Sequence, residues 1–310
     1  MKYFFTKYRF FLSGAALILT AASCTSTLSD EPATDARAIS FTPAAETRAA
    51  VEGGTLPADF LVWGGYEAYP LLFEGETVHP NGSYENGTRY WVPGTYNFYA
   101  VYPATINDKT TFSNGSLTVK DFDCSATGND AVDLMTAIPP SITYEAGTEP
   151  QPVAMEFQHE LCKVAVVVKA EQGVSATINS ATLYGIDIQG TLSGGSWTGL
   201  ETPVGTTDTP FKLSGSKTVD SQTPEADLFG TLLLIPQGCQ ELKLDIAITR
   251  YGEQQETQTI SLGTSIAQWA AAQSYRYVLT IKANAITFGD FTVEEWGLTN
   301  TGGNINIGKQ

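Results

Sequence analysis

Strand-length segments rich in β-branched and aromatic residues follow one another from residue 59 to residue 296. Many of them alternate apolar and polar residues, which is the pattern of a strand with one buried face. The clearest hairpin signal is Asn114-Gly115 in TTFSNGSLTV, because both residues tolerate the positive φ of a type I′ turn. The pattern predicts an all-β protein with two tandem β-sandwich domains and few short helices.

The best helix signal lies in TSIAQWAAAQ, where Thr264 or Ser265 could cap a short helical turn. The division between the two domains is predicted near residue 158, within MEFQHELCKV, where an alternating strand gives way to a polar corner and then to a second strand. We therefore expect an N-terminal domain over residues 49–158 and a C-terminal domain over residues 159–310.

The first residues are typical of a secretory signal peptide, with a basic aromatic start and an apolar run, FLSGAALILT, too short to span a bilayer as a helix. The small residues AASC then end at Cys24 in a pattern that resembles a lipobox, although Ala21 stands where Leu is usual. We expect residues 1–23 to be the signal peptide and Cys24 to carry the lipid that anchors the protein to the outer membrane. An ordinary signal peptide with an incidental cysteine is the alternative.

The formal net charge of −16 becomes −19 when Lys2, Lys7 and Arg9 leave with the signal peptide. A surface of this sign repels the phosphates of nucleic acids, so nucleic acid is excluded as a partner.

The cysteines beyond Cys24 are three in number, Cys124, Cys162 and Cys239, so they cannot all pair within one chain. Cys162 lies in an apolar strand, where a thiol behaves as a small hydrophobic group. We expect buried free thiols rather than a disulfide framework.

Catalytic constellations are missing from the sequence. His79 and His159 belong to no zinc-binding pattern. A histidine at a strand end, hydrogen-bonded to the backbone, is the better interpretation of His159. The SGSK segment, Ser214 to Lys217, matches S-x-x-K in letters, but a central glycine and a loop setting argue against the helical geometry which that chemistry needs. The sequence therefore predicts no enzyme, no metal and no cofactor.

Asp121, Asp123 and Ser125 fall on the first three ligand positions of a calcium loop. Ala126 replaces the sharp-turn glycine and Val132 replaces the bidentate glutamate, so a solvated acidic turn is favoured. The many aromatic residues between 60 and 102 could stack on sugars, but packing in a sandwich core is the default interpretation.

Several stretches in order resemble the fimbrillin family of anaerobic Gram-negative bacteria, the FimA-like and Mfa-like pilus proteins. They are YNFYAVYP, then NDAVDLMTA with VAMEFQHELCKVAVVV, then WAAAQSYRYVLTIKANAITFGDFTVEEW. The resemblance implies two transthyretin-like sandwiches exported as a lipoprotein. It also implies that a protease cuts after an arginine and removes the first strand, and that a strand from the C-terminal region of a neighbouring subunit fills the resulting groove.

The segment AISFTPAAETRAA fits the removed strand, because Ile39 and Phe41 alternate as inward-facing residues would. We expect cleavage after Arg48, so that residues 24–48 form the lipidated leader, since only that cut removes the strand. Cleavage after Arg37 is the alternative, and so is an arginine in an uncut linker.

The candidate donor strand is ITFGDFTVEEW, with apolar side chains at Ile286, Phe288, Phe291 and Val293. A bulge at Gly289-Asp290 would shift the alternation between the two pairs. A second, weaker alternation is NINI at residues 304–307.

The resemblance implies a stalk or tip subunit of a surface fimbria that supports adhesion, with other fimbrial subunits and surface ligands of host or bacteria as partners. Two alternatives remain open: an anchor subunit that keeps its lipid, and a monomeric surface lipoprotein that binds glycans or host molecules.

Overall fold

The computed structural model describes residues 37–45 and 56–296, and strands dominate both stretches. The strands are β1 (Phe41–Ala45), β2 (Phe60–Tyr66), β3 (Tyr69–Val78), β4 (Gly94–Tyr102), β5 (Thr110–Ser113), β6 (Ser116–Asp123), β7 (Met135–Ala137), β8 (Ile142–Tyr144), β9 (Val153–His159), β10 (Cys162–Ala170), β11 (Ala176–Tyr184), β12 (Gln189–Ser193), β13 (Ser196–Glu201), β14 (Lys217–Val219), β15 (Glu225–Asp227), β16 (Leu232–Leu234), β17 (Lys243–Arg250), β18 (Glu256–Ser261), β19 (Gln273–Ile281) and β20 (Ile286–Glu295). The helical segments are the 3₁₀ turns Ala104–Lys109 and Gly128–Asp130 and the short α1 (Gly205–Asp208). The prediction of an all-β protein with few short helices is confirmed.

The strands form four sheets. A seven-stranded sheet has the order β1-β9-β7-β4-β2-β3, with β8 also paired to β4, and a five-stranded sheet has the order β15-β10-β19-β20, with β16 also paired to β10. Two four-stranded sheets have the orders β14-β11-β17-β18 and β13-β12-β6-β5. Strands β1 and β20 therefore lie at sheet edges.

Two hydrophobic cores hold these sheets together. The first lies under the seven-stranded sheet and includes Phe60, Phe98 and Phe157. The second, which is larger, includes Val166 and Tyr277. Residues of β9 are alternately buried and exposed, as expected for a strand with one face in a core.

The described residues belong to one compact unit. Its β13-β12-β6-β5 sheet joins residues 116–123 to residues 189–193 through the β6–β12 ladder, so main-chain bonds connect segments on either side of residue 158. A domain boundary at that position stays a prediction.

The β5–β6 hairpin confirms the turn predicted at Asn114-Gly115. Ser113 lies opposite Ser116, and the two turn residues have φ of 51° and 74°. Both values lie in the left-handed region that a type I′ turn requires.

The helical turn predicted from Thr264 or Ser265 is wrong, because residues 264–272 are irregular. Trp269 explains the difference. Its side chain is 1% exposed, its amide donates to the Gln237 carbonyl and its indole Nε1 donates to the Tyr277 hydroxyl at 3.0 Å. Burial of this ring in the larger core outweighs the weak local helix preference.

The three cysteines Cys124, Cys162 and Cys239 are buried and free, as predicted. Burial raises the pKa of Cys124 to about 12 and that of Cys239 to about 11, so both thiols stay protonated at neutral pH. Within the described residues, no helix is long and apolar enough to cross a membrane.

Candidate functional site

Residues 37–45 lie along one edge of the seven-stranded sheet and change partners along their length. The Trp91 amide donates to the Arg37 carbonyl at 2.9 Å, and the Ile39 amide donates to the Arg89 carbonyl at 2.8 Å. The chain then continues as β1, which runs parallel to β9. Main-chain bonds therefore hold this edge segment from two sides.

Ile39 and Phe41 occupy the inward positions that an alternating strand assigns to them, since each side chain is only 2% exposed. The Phe41 ring makes edge contacts with Phe73 at 5.2 Å and with Phe98 at 5.6 Å between ring centroids. Burial of an apolar side chain of this size contributes about 1.5–3 kcal/mol. Loss of the edge segment would therefore uncover an apolar groove.

The second wall of that groove is the loop of residues 79–92, which we call the lip. Its Tyr84 hydroxyl donates to the Ile39 carbonyl at 2.9 Å and accepts a hydrogen bond from the Arg89 amide at 3.2 Å. The Tyr84 ring also lies 6.1 Å from the Phe41 ring. This tyrosine thus contacts both inward residues of the edge segment.

An ion pair fixes the lip. Glu76, whose side chain is 4% exposed, accepts hydrogen bonds from Arg89 Nη2 at 2.6 Å and from Asn86 Nδ2 at 2.8 Å. Arg89 Nε donates to the Leu72 carbonyl at 2.9 Å, and the guanidinium lies 4.5 Å from the centroid of Phe73. None of these contacts involves residues 37–45, so they hold the lip in place independently of the edge segment.

Gly82 marks the closest approach between the lip and the edge segment. Its φ is +82°, and a Cβ atom there would lie 1.8 Å from the Phe41 carbonyl oxygen. Only glycine lets the two backbones come this close.

Strand β20 lies at the edge of the five-stranded sheet, antiparallel to β19. Its pairing contains a bulge in which Gly289 and Asp290 lie between the pairs Phe288–Leu279 and Phe291–Tyr277, as the alternation predicted. Cross-strand neighbours share one face of a sheet. The bulge therefore brings the four apolar residues of β20 onto the face of buried β19 residues, in the pairs Ile286–Ile281, Phe288–Leu279, Phe291–Tyr277 and Val293–Tyr275.

These β20 side chains pack on the larger core, whereas Ile39 and Phe41 belong to the core of the seven-stranded sheet. Ile286 is 8% exposed and the other three are half-buried. The ring centroid of Phe291 lies 4.8 Å from that of Tyr277. The structure thus does not bring the predicted donor and the predicted removed strand together within one chain.

Trp296 closes the end of β20. Its ring stacks on His159 with centroids 4.0 Å apart and an interplanar angle of 9°, and His159 Nδ1 bonds to Asp133 Oδ1 at 2.9 Å. His159 does end β9, as expected, but its hydrogen-bond partner is the Asp133 carboxylate rather than the backbone.

Of the predicted processing residues, Arg37 is exposed at the start of the edge segment. Cys24 and Arg48 lie outside the described residues, as do residues 304–307.

The remaining chemical motifs form no reactive site. His79 Nδ1 bonds to Asp59 at 3.0 Å, and this hydrogen bond is the main reason why the pKa of His79 is raised. Ser214 lies outside any helix. Among the described residues, no group of three or more His, Cys, Asp or Glu side chains could hold a metal ion.

Sequence reasoning missed the lip, and with it Glu76, Gly82, Tyr84 and Arg89. A polar loop of asparagine, glycine and glutamate residues gives no sign that it faces an aromatic core. The available signal was the presence of three aromatic residues, Tyr84, Tyr90 and Trp91, in a largely polar stretch.

No curated protein matches the chain, but several solved structures share its fold. A candidate cell adhesion protein from Bacteroides uniformis is 18% identical with a TM-score of 0.52, and the match covers 84% of this chain and 100% of that one. A fimbrial protein from Bacteroides vulgatus is 18% identical with a TM-score of 0.53, and the match covers 84% of this chain and 99% of that one. A candidate cell adhesion protein from Bacteroides ovatus is 16% identical with a TM-score of 0.52, and the match covers 84% and 98%.

The sequence profile of the fimbrillin-like family matches residues 67–296, a span that begins in the turn between β2 and β3, ends at Trp296 and includes most of both cores. The chain therefore belongs to the fimbrillin-like family.

Proposed function

We propose that this protein is a structural subunit, in the stalk or at the tip, of a surface fimbria that supports adhesion. It is exported to the outer membrane as a lipoprotein through Cys24, cut after Arg48 and joined to other subunits by strand donation. The observation that carries this proposal is the edge segment 37–45, whose Ile39 and Phe41 side chains are buried between two walls and whose last residue lies three positions before Arg48.

Removal of this segment would leave a ready acceptor. One wall is β9, whose freed edge would present unpaired main-chain groups, and the other is the lip, held by Arg89 and Glu76. A strand that enters can form main-chain bonds with β9 and fill the sites of Ile39 and Phe41 with alternate side chains. The groove therefore suits a donated strand better than a small ligand.

The contacts around Arg37 support Arg48 as the proposed cleavage site. A protease binds its substrate as an extended chain, with the backbone on both sides of the cut available for bonding. At Arg37 the carbonyl is bonded to the Trp91 amide, Ala38 bridges Tyr90 and the Ile39 amide is bonded to Arg89. Cleavage after Arg37 would therefore require local unfolding, and it would also leave Ile39 and Phe41 in the groove.

Strand β20 is the proposed donor. It lies at an edge and is paired with a single strand, β19, and its four apolar residues already share one face. Release also requires Trp296 to leave His159. Donation thus exchanges burial on the subunit's own core for burial in a neighbour's groove.

The test treats the purified chain without its signal peptide with an arginine-specific protease at high protein concentration. We expect a new N-terminus at Ala49 and a ladder of oligomers in unboiled samples on a denaturing gel. An Arg48→Ala variant should stay uncut at this site and monomeric, whereas Arg37→Ala, the matched control, should behave as the wild type. A wild-type chain that is cut at Arg48 and stays monomeric would refute assembly through this groove. Cleavage only at Arg37, or none, would refute the proposed maturation.

Donor identity is tested in the same assay. Phe291→Ala removes an inward ring from β20, whereas Asp290→Ala changes an exposed residue in the bulge. We expect the first variant to weaken the ladder and the second to leave it unchanged. Equal ladders would shift the donor role from β20 to the segment that contains residues 304–307.

A further inference from the structure

A cavity of about 520 Å³ lies on the outward side of β9, beside the proposed acceptor groove. Its floor is formed by the exposed side chains of β9, Ala154, Glu156 and Gln158, and its roof by the β5–β6 hairpin and β12. This volume is in the range of pockets that hold a small ligand or several side chains.

The cavity is acidic. Glu156 and Glu160 line it, and none of the described lining residues is basic. Glu160 accepts a hydrogen bond from the Thr136 hydroxyl, and its partial burial raises the pKa of its carboxyl group. The two carboxyl groups thus lack a cationic partner within the cavity.

The register of β1 on β9 connects this cavity to the groove. Phe41 lies opposite Val153 on the core side, and the next residue, Thr42, lies opposite Ala154 on the cavity side, where it is exposed. Any strand that occupies this edge of β9 must alternate in the same way, whatever its direction. Every second residue of a donated strand would therefore lie on the cavity side.

The chain's own candidate donor is poorly matched to this side. On β20 the positions that alternate with the four core-facing residues are Thr287, Thr292 and Glu294, with exposed Asp290 in the bulge. These positions carry two carboxylates and no cation. Like charges on neighbouring strands are destabilising, whereas opposite charges are favourable.

We propose that the cavity is a specificity site that accepts a lysine or arginine side chain from the outward face of the donated strand. This inference rests on the proposed function. It follows that the groove prefers a donor strand from a different subunit, one with a basic outward face, over the strand of a second copy of this chain.

The experiment uses two labelled peptides. One is residues 285–296 of this chain, AITFGDFTVEEW, and the other is the same peptide with Thr292→Lys and Glu294→Lys. Each is added during arginine-specific cleavage of the chain, at a protein concentration too low for oligomers to form. Two partly exposed charge contacts should make the basic peptide bind about tenfold more tightly at low salt, and the advantage should shrink at high salt.

A Glu156→Lys variant should lose or reverse the preference, and Glu160→Gln should reduce it. Glu253→Lys, which makes the same charge change in the β17–β18 turn, should leave the preference intact. Equal binding of both peptides would overturn the charge selection and leave the proposed groove standing. Failure of both peptides to bind the cut chain would overturn the groove itself, and the specificity site with it.

Discussion

Phe41→Ala is the substitution that most directly tests whether the edge segment completes the core of the seven-stranded sheet. Phe41 is 2% exposed and its ring contacts Phe73, Tyr84 and Phe98. Truncation of a buried phenylalanine typically costs about 3–5 kcal/mol. We expect the lower end, about 3 kcal/mol, because β1 is a short edge strand whose surroundings can relax into the space left by the ring.

Hydrogen exchange of the uncut chain measures this loss of stability in the core that contains Phe41. A loss of about 3 kcal/mol should speed exchange more than about a hundredfold in peptides from β4 and β9. Peptides from β17, in the other core, provide an internal reference. Thr42→Ala is the matched control, since Thr42 is exposed on the same strand and should change stability by less than about 0.5 kcal/mol.

Cleavage provides a second readout of the same variant. If the cut falls after Arg48, it removes residue 41, so the cut wild type and the cut Phe41→Ala variant become one molecule with identical exchange. If Phe41→Ala lowers the free energy of unfolding of the uncut chain by less than about 1 kcal/mol, Phe41 does not complete this core. A difference that persists after cleavage at Arg48 would show that the cut segment stays bound.

Two further substitutions test the lip and the cavity. Gly82→Ala places a methyl group against the Phe41 carbonyl oxygen, so the edge segment should move away from the lip. Arginine-specific cleavage after Arg37 should then be faster than in the wild type. Equal cleavage rates would contradict the close approach of the two backbones. Glu160→Gln should stabilise the protein at pH 7, because the folded chain raises the pKa of this carboxyl above its usual 4.5 and therefore loses stability as the pH rises through that range. Denaturant unfolding should show this advantage vanishing below about pH 4.5, and an advantage that does not depend on pH would refute the electrostatic cause.

The sequence predicted those parts of the molecule whose pattern is local. Alternation in VAMEFQH and in the two halves of ITFGDFTV is visible without a fold, and so is the glycine that permits a bulge. The positions of β9 and β20 followed from such patterns. The turn at Asn114-Gly115 followed from the φ preferences of two residues.

The parts that sequence reasoning missed depend on contacts between distant residues. The helical turn predicted around Trp269 does not form, because the indole bonds to Tyr277 and is buried in the larger core. The lip depends on Glu76, a buried carboxylate that forms an ion pair with Arg89. In the sequence, Glu76 is indistinguishable from an ordinary polar residue of an alternating strand. Neither pairing leaves a periodic trace in the sequence, so neither could be predicted from one chain.

In the proposed strand exchange, cleavage rather than affinity would control assembly. While the leader is intact, β1 is part of the same chain as its groove, and a tethered segment occupies its site at an effective concentration in the millimolar range. A donated strand from another subunit is far more dilute, and it also sacrifices its packing on β19 and the stack of Trp296 on His159.

The exchange is therefore unfavourable before cleavage even if the donor binds as well as β1. A cut at Arg48 turns β1 into a short separate peptide with two inward side chains, Ile39 and Phe41, against the four of β20. Dilution then favours release of the short strand, and the longer one can replace it. A subunit that assembles by the proposed strand donation would stay monomeric until it is cut, because the strand that blocks the groove is also part of its core.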